Sequence, residues 1–343
     1  MSQHFASDNN AGLCPEALAS LIEANGQGHA PGYGSDDWTT RACDKIRSIF
    51  ETDAAVFFVF TGTAANALAL AHICRPYHAV IAHAESHAAT DEAGAPGFFG
   101  GGTALLTADT PLAKLSPEAV ERLVTAGRGF HSVKPAVLSI TQATEMGTIY
   151  KVDELRGLTD IARRHGLKVH MDGARFANAV AALGCSAADL SWRAGVDVLS
   201  FGGVKNGLGA GEAVLFFDKT LAREFEWRVK QAGQLNSKMR LVAAPWLGLL
   251  ENDVWLKNAR HANAMANRLA ARITRIDGVL TVGPVESNGV FVTMPAGLQE
   301  RLRSRGWQFY AWGPDACRLM CAWDTTTDTV DRFAADVEAM AKE

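Results

Sequence analysis

The chain is poor in the features that mark several common protein classes. Its six cysteines, Cys14, Cys43, Cys74, Cys185, Cys317 and Cys321, include no Cys-x-x-Cys pair, so neither a zinc site nor a disulfide framework is expected and each reads as a small buried hydrophobe. A net charge of −4 with no basic run removes the electrostatic footprint of a nucleic-acid binder. The longest apolar stretch, around residues 54–60, is too short to cross a bilayer. Met1 to Asn10 is polar and lacks the charged-then-apolar order of a signal peptide. There is no internal repeat, no low-complexity tract, and no Gly-x-Gly-x-x-Gly turn after the first strand of the kind a dinucleotide-binding oxidoreductase needs. What remains is the expectation of a cytoplasmic protein in a reducing compartment, with neither nucleic acid nor membrane as partner.

What the chain does contain is 343 residues, 48% hydrophobic and 20% charged, enough for a large core. Short apolar runs at 54–60, 79–82, 136–141, 167–171 and 197–200 read as buried strands, and amphipathic stretches such as 152–165 read as helices between them. Strands alternating with helices at this rhythm predict an α/β domain with a mostly parallel sheet, whose ligands gather at the carboxyl ends of the strands. From 222 to 240 and on to about 272 the chain reads as nearly continuous helix. Strands at 279–282, 289–294 and 318–323 with a closing helix over 328–342 then predict a small α+β domain. The division expected is a large domain over 1–250 and a small one over 251–343.

Chemistry concentrates at the predicted strand ends. Thr61-Gly-Thr-Ala-Ala-Asn66 joins a strand to a helix, where free amides and a helix dipole can hold a phosphate. His83, Glu85, His87 and Glu92 crowd the next junction. Metal binding is not expected there, because the His-Glu-x-x-His order is absent and no third ligand is evident. Asp172 closes another strand. Lys205 stands in Phe201-Gly-Gly-Val-Lys-Asn-Gly-Leu-Gly-Ala-Gly211, where five glycines let backbone and a bulky ligand approach closely, as a lysine forming a Schiff base requires.

Pyridoxal 5′-phosphate (PLP) chemistry needs such a lysine, a carboxylate for the pyridine nitrogen, a phosphate cup and a group stacked on the ring. Lys205, Asp172, Gly62 with Thr63, and His87 supply that list, in the chain order of fold type I PLP enzymes. With Ala6-Ser-Asp8, Gly32-Tyr-Gly-Ser-Asp-Asp37, Ser86-His87 before Glu92-Ala-Gly94, Met171-Asp-Gly-Ala-Arg175 and Arg318, the sequence resembles the L-threonine aldolase family, of the low-specificity type. The resemblance runs from the first ten residues past Lys205.

The resemblance implies a PLP-dependent carbon–carbon lyase that cleaves β-hydroxy-α-amino acids, with another PLP lyase or a racemase as the alternative reading. It implies that Ser7, Arg175 and Arg318 bind the substrate carboxylate, that Arg175 also lies close to the cofactor, and that Tyr33 reaches the site of a neighbouring subunit in a homodimer or homotetramer. His83, His87 and Glu145 are the candidates for the proton step, and the sequence does not choose between them. Two departures from the family stand out. Glu145 occupies the place of a histidine that contacts the substrate hydroxyl in many members, and Val204 replaces the usual serine before the lysine. A contact to the cofactor is therefore expected from Ser200 or from the Gly202–Gly203 backbone.

Overall fold

The computed structural model describes residues 4–313 and 315–341. The apolar runs form a seven-stranded sheet of β1 (Ala55–Val59), β2 (His78–His83), β3 (Ala104–Ala108), β4 (Lys134–Thr141), β5 (Lys168–Gly173), β6 (Val198–Phe201) and β7 (Glu212–Phe216), in the order β1-β7-β6-β5-β4-β2-β3. Every pairing from β3 to β6 is parallel, and β7 alone is antiparallel to both its neighbours. The expected α/β fold with a mostly parallel sheet is the one observed. Because β7 is reversed, its first residue lies at the edge where the other strands end.

Helices cover both faces, as parallel strands require. The helix Gly62–Ile73 is apolar on all sides, and its residues from Ala64 to Ala71 are buried. It can therefore sit only between sheet and neighbouring helices. Thr61 starts it, its hydroxyl accepting from the Ala64 amide at 3.1 Å. The Thr61–Asn66 segment is thus the first turn of a helix and not a separate loop.

A second, antiparallel sheet follows, of β8 (Leu280–Thr281), β9 (Gly289–Thr293), β10 (Tyr310–Trp312) and β11 (Ala316–Met320), in the order β10-β11-β9-β8. Its core gathers Val290, Val292, Trp307, Leu319 and Phe333, together with Phe5 from the start of the chain. The 20-residue helix Val254–Ile273 serves both cores, with Trp255 and Ala259 in the first and Ala266, Leu269 and Ile273 in the second.

The long helical run expected after residue 222 is broken twice. The helix Phe225–Gln231 stops before Gly233, whose φ is +71°, and Arg240–Leu250 is separated from Val254–Ile273 by left-handed Asn252 and Asp253. Strands β3 and β10 and the helix Leu298–Ser304 were not expected. The closing helix is Thr327–Ala341, and the expected end at Lys342 lies outside the described residues.

Candidate active site

A cavity of about 350 Å³ opens at the carboxyl edge of the large sheet, and Lys205, Asp172, His87, Glu145, Thr61, Gly62, Thr63 and Asn66 all border it. Residues between 61 and 205 in the chain meet there because each follows, or lies in, a strand of the same sheet. Two larger cavities hold none of the PLP constellation. One of about 460 Å³ lies at the opposite ends of β5 and β6, beside Lys168 and Asp197. The other, of about 670 Å³, adjoins the site through Met146, the residue after Glu145. Chemistry, not volume, selects the cavity.

Asp172 is buried at the end of β5, and its two oxygens are held separately. Asn66 Nδ2 donates to Oδ2 at 2.8 Å, and the Ala174 amide donates to Oδ1 at 3.0 Å. The same Asn66 nitrogen donates to Glu92 Oε1 at 2.8 Å, and His87 Nδ1 lies 2.9 Å from that oxygen. A hydrogen-bonded chain thus runs from the half-buried His87 through the buried Glu92, Asn66 and Asp172. The hydrogen bond to Glu92 raises the His87 pKa above its ordinary value; burial opposes this, and the charges of Asp172, Glu92 and Glu145 support it. Burial likewise pushes the Glu92 carboxyl up, against its bonds to His87 and Asn66. With Nδ1–H donating to Glu92, the Nε2 of His87 is the nitrogen left to take or give a proton.

PLP can be tested against this geometry. Among the described residues no acceptor reaches the amides of Gly62 and Thr63 at the start of a 12-residue helix, so a phosphate would find free donors and a favourable dipole. Arg318 Nε is buried with no partner, an unspent donor for an anion. Asp172 is fixed as an acceptor for a ring nitrogen. The residues present fit the cofactor.

Arg175 is buried and forms a bidentate pair with Asp8, Nε donating to Oδ2 at 2.8 Å and Nη2 to Oδ1 at 3.0 Å. Burial pushes the Asp8 carboxyl up, but the charges of Arg175 and Lys205 and its hydrogen bonds hold it below the usual carboxylate range. Arg318 lies over the rings of Tyr310 and Trp312, at 5.2 and 6.0 Å from their centres, and Nη2 donates to the Ala6 carbonyl at 3.3 Å. Burial, and then the charge of Arg175, lowers its pKa.

Six of the expected site residues do not border this cavity, Arg175 and Arg318 among them. Ser200 does not border the cavity: its hydroxyl is 3.1 Å from Nε2 of the fully buried His170, whose Nδ1 meets Ser139 Oγ at 2.9 Å. Burial lowers the His170 pKa to about 4. His83 borders the 670 Å³ cavity, with Nδ1 accepting from the Glu85 amide and Nε2 donating to the Thr110 carbonyl, so both ring nitrogens are spent. Ser7 caps a short turn by accepting from the Asn9 amide. Tyr33 is 55% exposed and lies under Lys230, away from the cavity.

The expected substitute for the missing serine is also corrected, since Gly203 and Val204 donate their amides to a carboxylate within the chain, Glu212. Glu212, Asn66, Glu92 and Asp8 carry functional bonds that the sequence reading did not assign.

Comparisons with known proteins bear on the family and the fold. A family model described as beta-eliminating lyase matches residues 4–296. A low specificity L-threonine aldolase of Pseudomonas aeruginosa is 52% identical over 98% of this chain and 97% of its own. The solved threonine aldolase of Leishmania major superposes with a TM-score of 0.93 at 28% identity, over 98% of this chain and 99% of that one. A structure of SPT with a PLP internal aldimine shares the fold, with a TM-score of 0.73 at 16% identity over 99% of this chain and 87% of that one.

Proposed function

The chain belongs to the low-specificity L-threonine aldolases, within the wider beta-eliminating lyases, and on that footing we propose that it cleaves the Cα–Cβ bond of L-threonine, L-allo-threonine and related β-hydroxy-α-amino acids such as phenylserine to glycine and an aldehyde. The observation that carries this reading is the single cavity shared by Lys205, Asp172, His87 and the Thr61 helix start.

Lys205 would hold PLP covalently, Asp172 would meet its ring nitrogen, His87 would lie against the ring, and the Gly62 and Thr63 amides would take its phosphate. When bound, the cofactor supplies an aldehyde that captures the substrate amine and a ring that accepts the electron pair released as the Cα–Cβ bond breaks. The protein does the rest. Asn66 and the Ala174 amide fix the Asp172 carboxylate in place, so its charge is preorganised. Arg318 would dock the substrate carboxylate through its unspent donor, together with Ser7 and with Arg175, whose guanidinium Asp8 holds in orientation. That docking fixes which bond of Cα faces the ring.

The β-hydroxyl proton goes to His87 Nε2, with Glu92 holding the ring and stabilising the imidazolium that forms. Glu145 borders the same cavity and is the alternative acceptor for that proton.

The protein is also proposed to self-associate. Tyr33, Ile22 and Trp227 are exposed apolar side chains on the surface of a single chain, and Tyr33 would complete a second copy's site. No helix among the described residues is long and apolar enough to cross a membrane, and all six cysteines are free. Both observations support a cytoplasmic setting.

Purified protein incubated with threonine, allo-threonine and phenylserine should release glycine and the matching aldehyde and show a visible band that borohydride removes. Lys205→Ala should lose both the band and the cleavage. Release of pyruvate and ammonia, or of D-amino acid, in place of glycine would overturn the aldolase reading.

A further inference from the structure

The reversed strand β7 delivers Glu212 to the edge where its neighbours end. The side chain is buried, borders the same cavity as Lys205 and Asp172, and through Oε2 accepts the amides of Gly203 at 2.5 Å and Val204 at 3.3 Å. These are the two residues immediately before Lys205. The turn they make has no slack: a Cβ on Gly202 would meet the Ala174 carbonyl oxygen at 2.5 Å, and one on Gly203 would run into Leu208 and Trp246. Beyond the lysine, Asn206 Nδ2 donates to the Trp255 carbonyl, and Asn258 Nδ2 donates to the Asn206 carbonyl, both at 2.9 Å. Lys205 is thus gripped on both sides by hydrogen bonds to a sheet and a helix.

We infer that Glu212 is a positioning residue: by taking the Gly203 and Val204 amides it sets the turn that presents Lys205 to the cavity, and it withdraws those amides from the cofactor phosphate. The inference rests on the reading of Lys205 as the cofactor-bearing lysine. A buried carboxyl here can act in two ways, as an acceptor for two amides or as a negative charge beside an amine. Burial pushes the Glu212 carboxyl up to about 7, against the Gly203 amide and the charge of Lys205. A group that is partly neutral near neutral pH can still accept hydrogen bonds while giving up its charge, which favours the acceptor role.

Two substitutions separate these roles. Glu212→Gln keeps an acceptor oxygen at the same reach and discards the charge. Glu212→Asp keeps the charge but falls a methylene short of the amides. PLP is added to each apoenzyme, and the dissociation constant and the growth rate of the visible band are read from absorbance, with circular dichroism to register the fold. The Gln variant should stay within about threefold of wild type on both measures, and the Asp variant should bind about tenfold more weakly and more slowly, the loss expected when buried donors lose their acceptor. An Asp variant equal to wild type, or a Gln variant that weakens, overturns the inference. A wild-type protein that forms no band overturns the proposed function itself and this role with it, which is a different result from either variant failing alone.

Discussion

The two regions of the proposed site are built differently. In the region proposed for the cofactor, Thr61, Asp172 and Lys205 stand on or just beyond strands of one sheet, and Asn66 and Glu92 link the acid to the half-buried His87 in one hydrogen-bonded chain. In the region proposed for the substrate, Arg318 comes from the second sheet, Asp8 from the start of the chain and Arg175 from the first sheet, and neither these residues nor Tyr33 border the cavity. The first region is a property of one rigid element, while the second is a meeting of segments far apart in the chain. On the proposed reading, fixed chemistry sits on the sheet and substrate recognition on segments from elsewhere in the chain, an arrangement that would let substrate range vary without disturbing the cofactor.

Three measurements sharpen or break this contrast. If the cofactor region is preorganised by charge, Asp172→Asn should lower kcat by about two to three orders of magnitude while PLP stays bound, since the helix start and Lys205 remain. Retention of near-normal kcat would mean that the acid's charge is not what the fold protects. Arg318→Ala should leave the visible band unchanged and raise KM for threonine roughly ten- to a hundredfold, the range for loss of a charge-assisted bond, with kcat changing less. A shifted band with an unchanged KM would move Arg318 to the cofactor region.

The smallest effect expected is a pH shift. The bond to Glu92 raises the His87 pKa, so Glu92→Gln should lower it. Because His87 must be neutral to accept the proton, the acid limb of kcat/KM against pH should move to lower pH, even though Asp172 and Glu145 still face the ring. An unmoved limb would assign the proton step to Glu145.

The cofactor region was the more legible in the sequence for a physical reason. A buried parallel strand is a short apolar run, and the residue that ends it is at the ligand edge, so Asp172 and the Thr61 segment could be located without coordinates. Lys205, four residues beyond the end of β6, stood out through its glycines. The same rule hid Glu212: β7 is antiparallel, so the residue at the edge precedes its apolar run and reads as an ordinary solvated charge. Ser200 was misplaced because it pairs across the sheet with Asp172 yet turns its hydroxyl to His170, a contact between neighbouring strands. Arg175 could be picked out by its motif, but its partner Asp8 lies 167 positions away, and no local pattern records such a pair. Helix breaks at Gly233 and at Asn252–Asp253 were missed because left-handed residues interrupt stretches whose apolar spacing continues through them.

The opening segment of the chain has a temporal consequence. Phe5 exchanges backbone hydrogen bonds with Gln308 and Met320, the Ala6 carbonyl receives Arg318, Asp8 receives Arg175 and Asn288, and the Cys14 amide donates to the Gly207 carbonyl. These residues are made well before several of their partners, which lie about 300 positions further along the chain. Closing contacts across some 312 positions is entropically late. The large sheet can assemble its lysine, acid and helix start while the chain is still being synthesised, but the arginines proposed to bind the substrate come into register only when residues near 320 have emerged. A nascent chain would therefore acquire the capacity to hold its cofactor before it could recognise an amino acid.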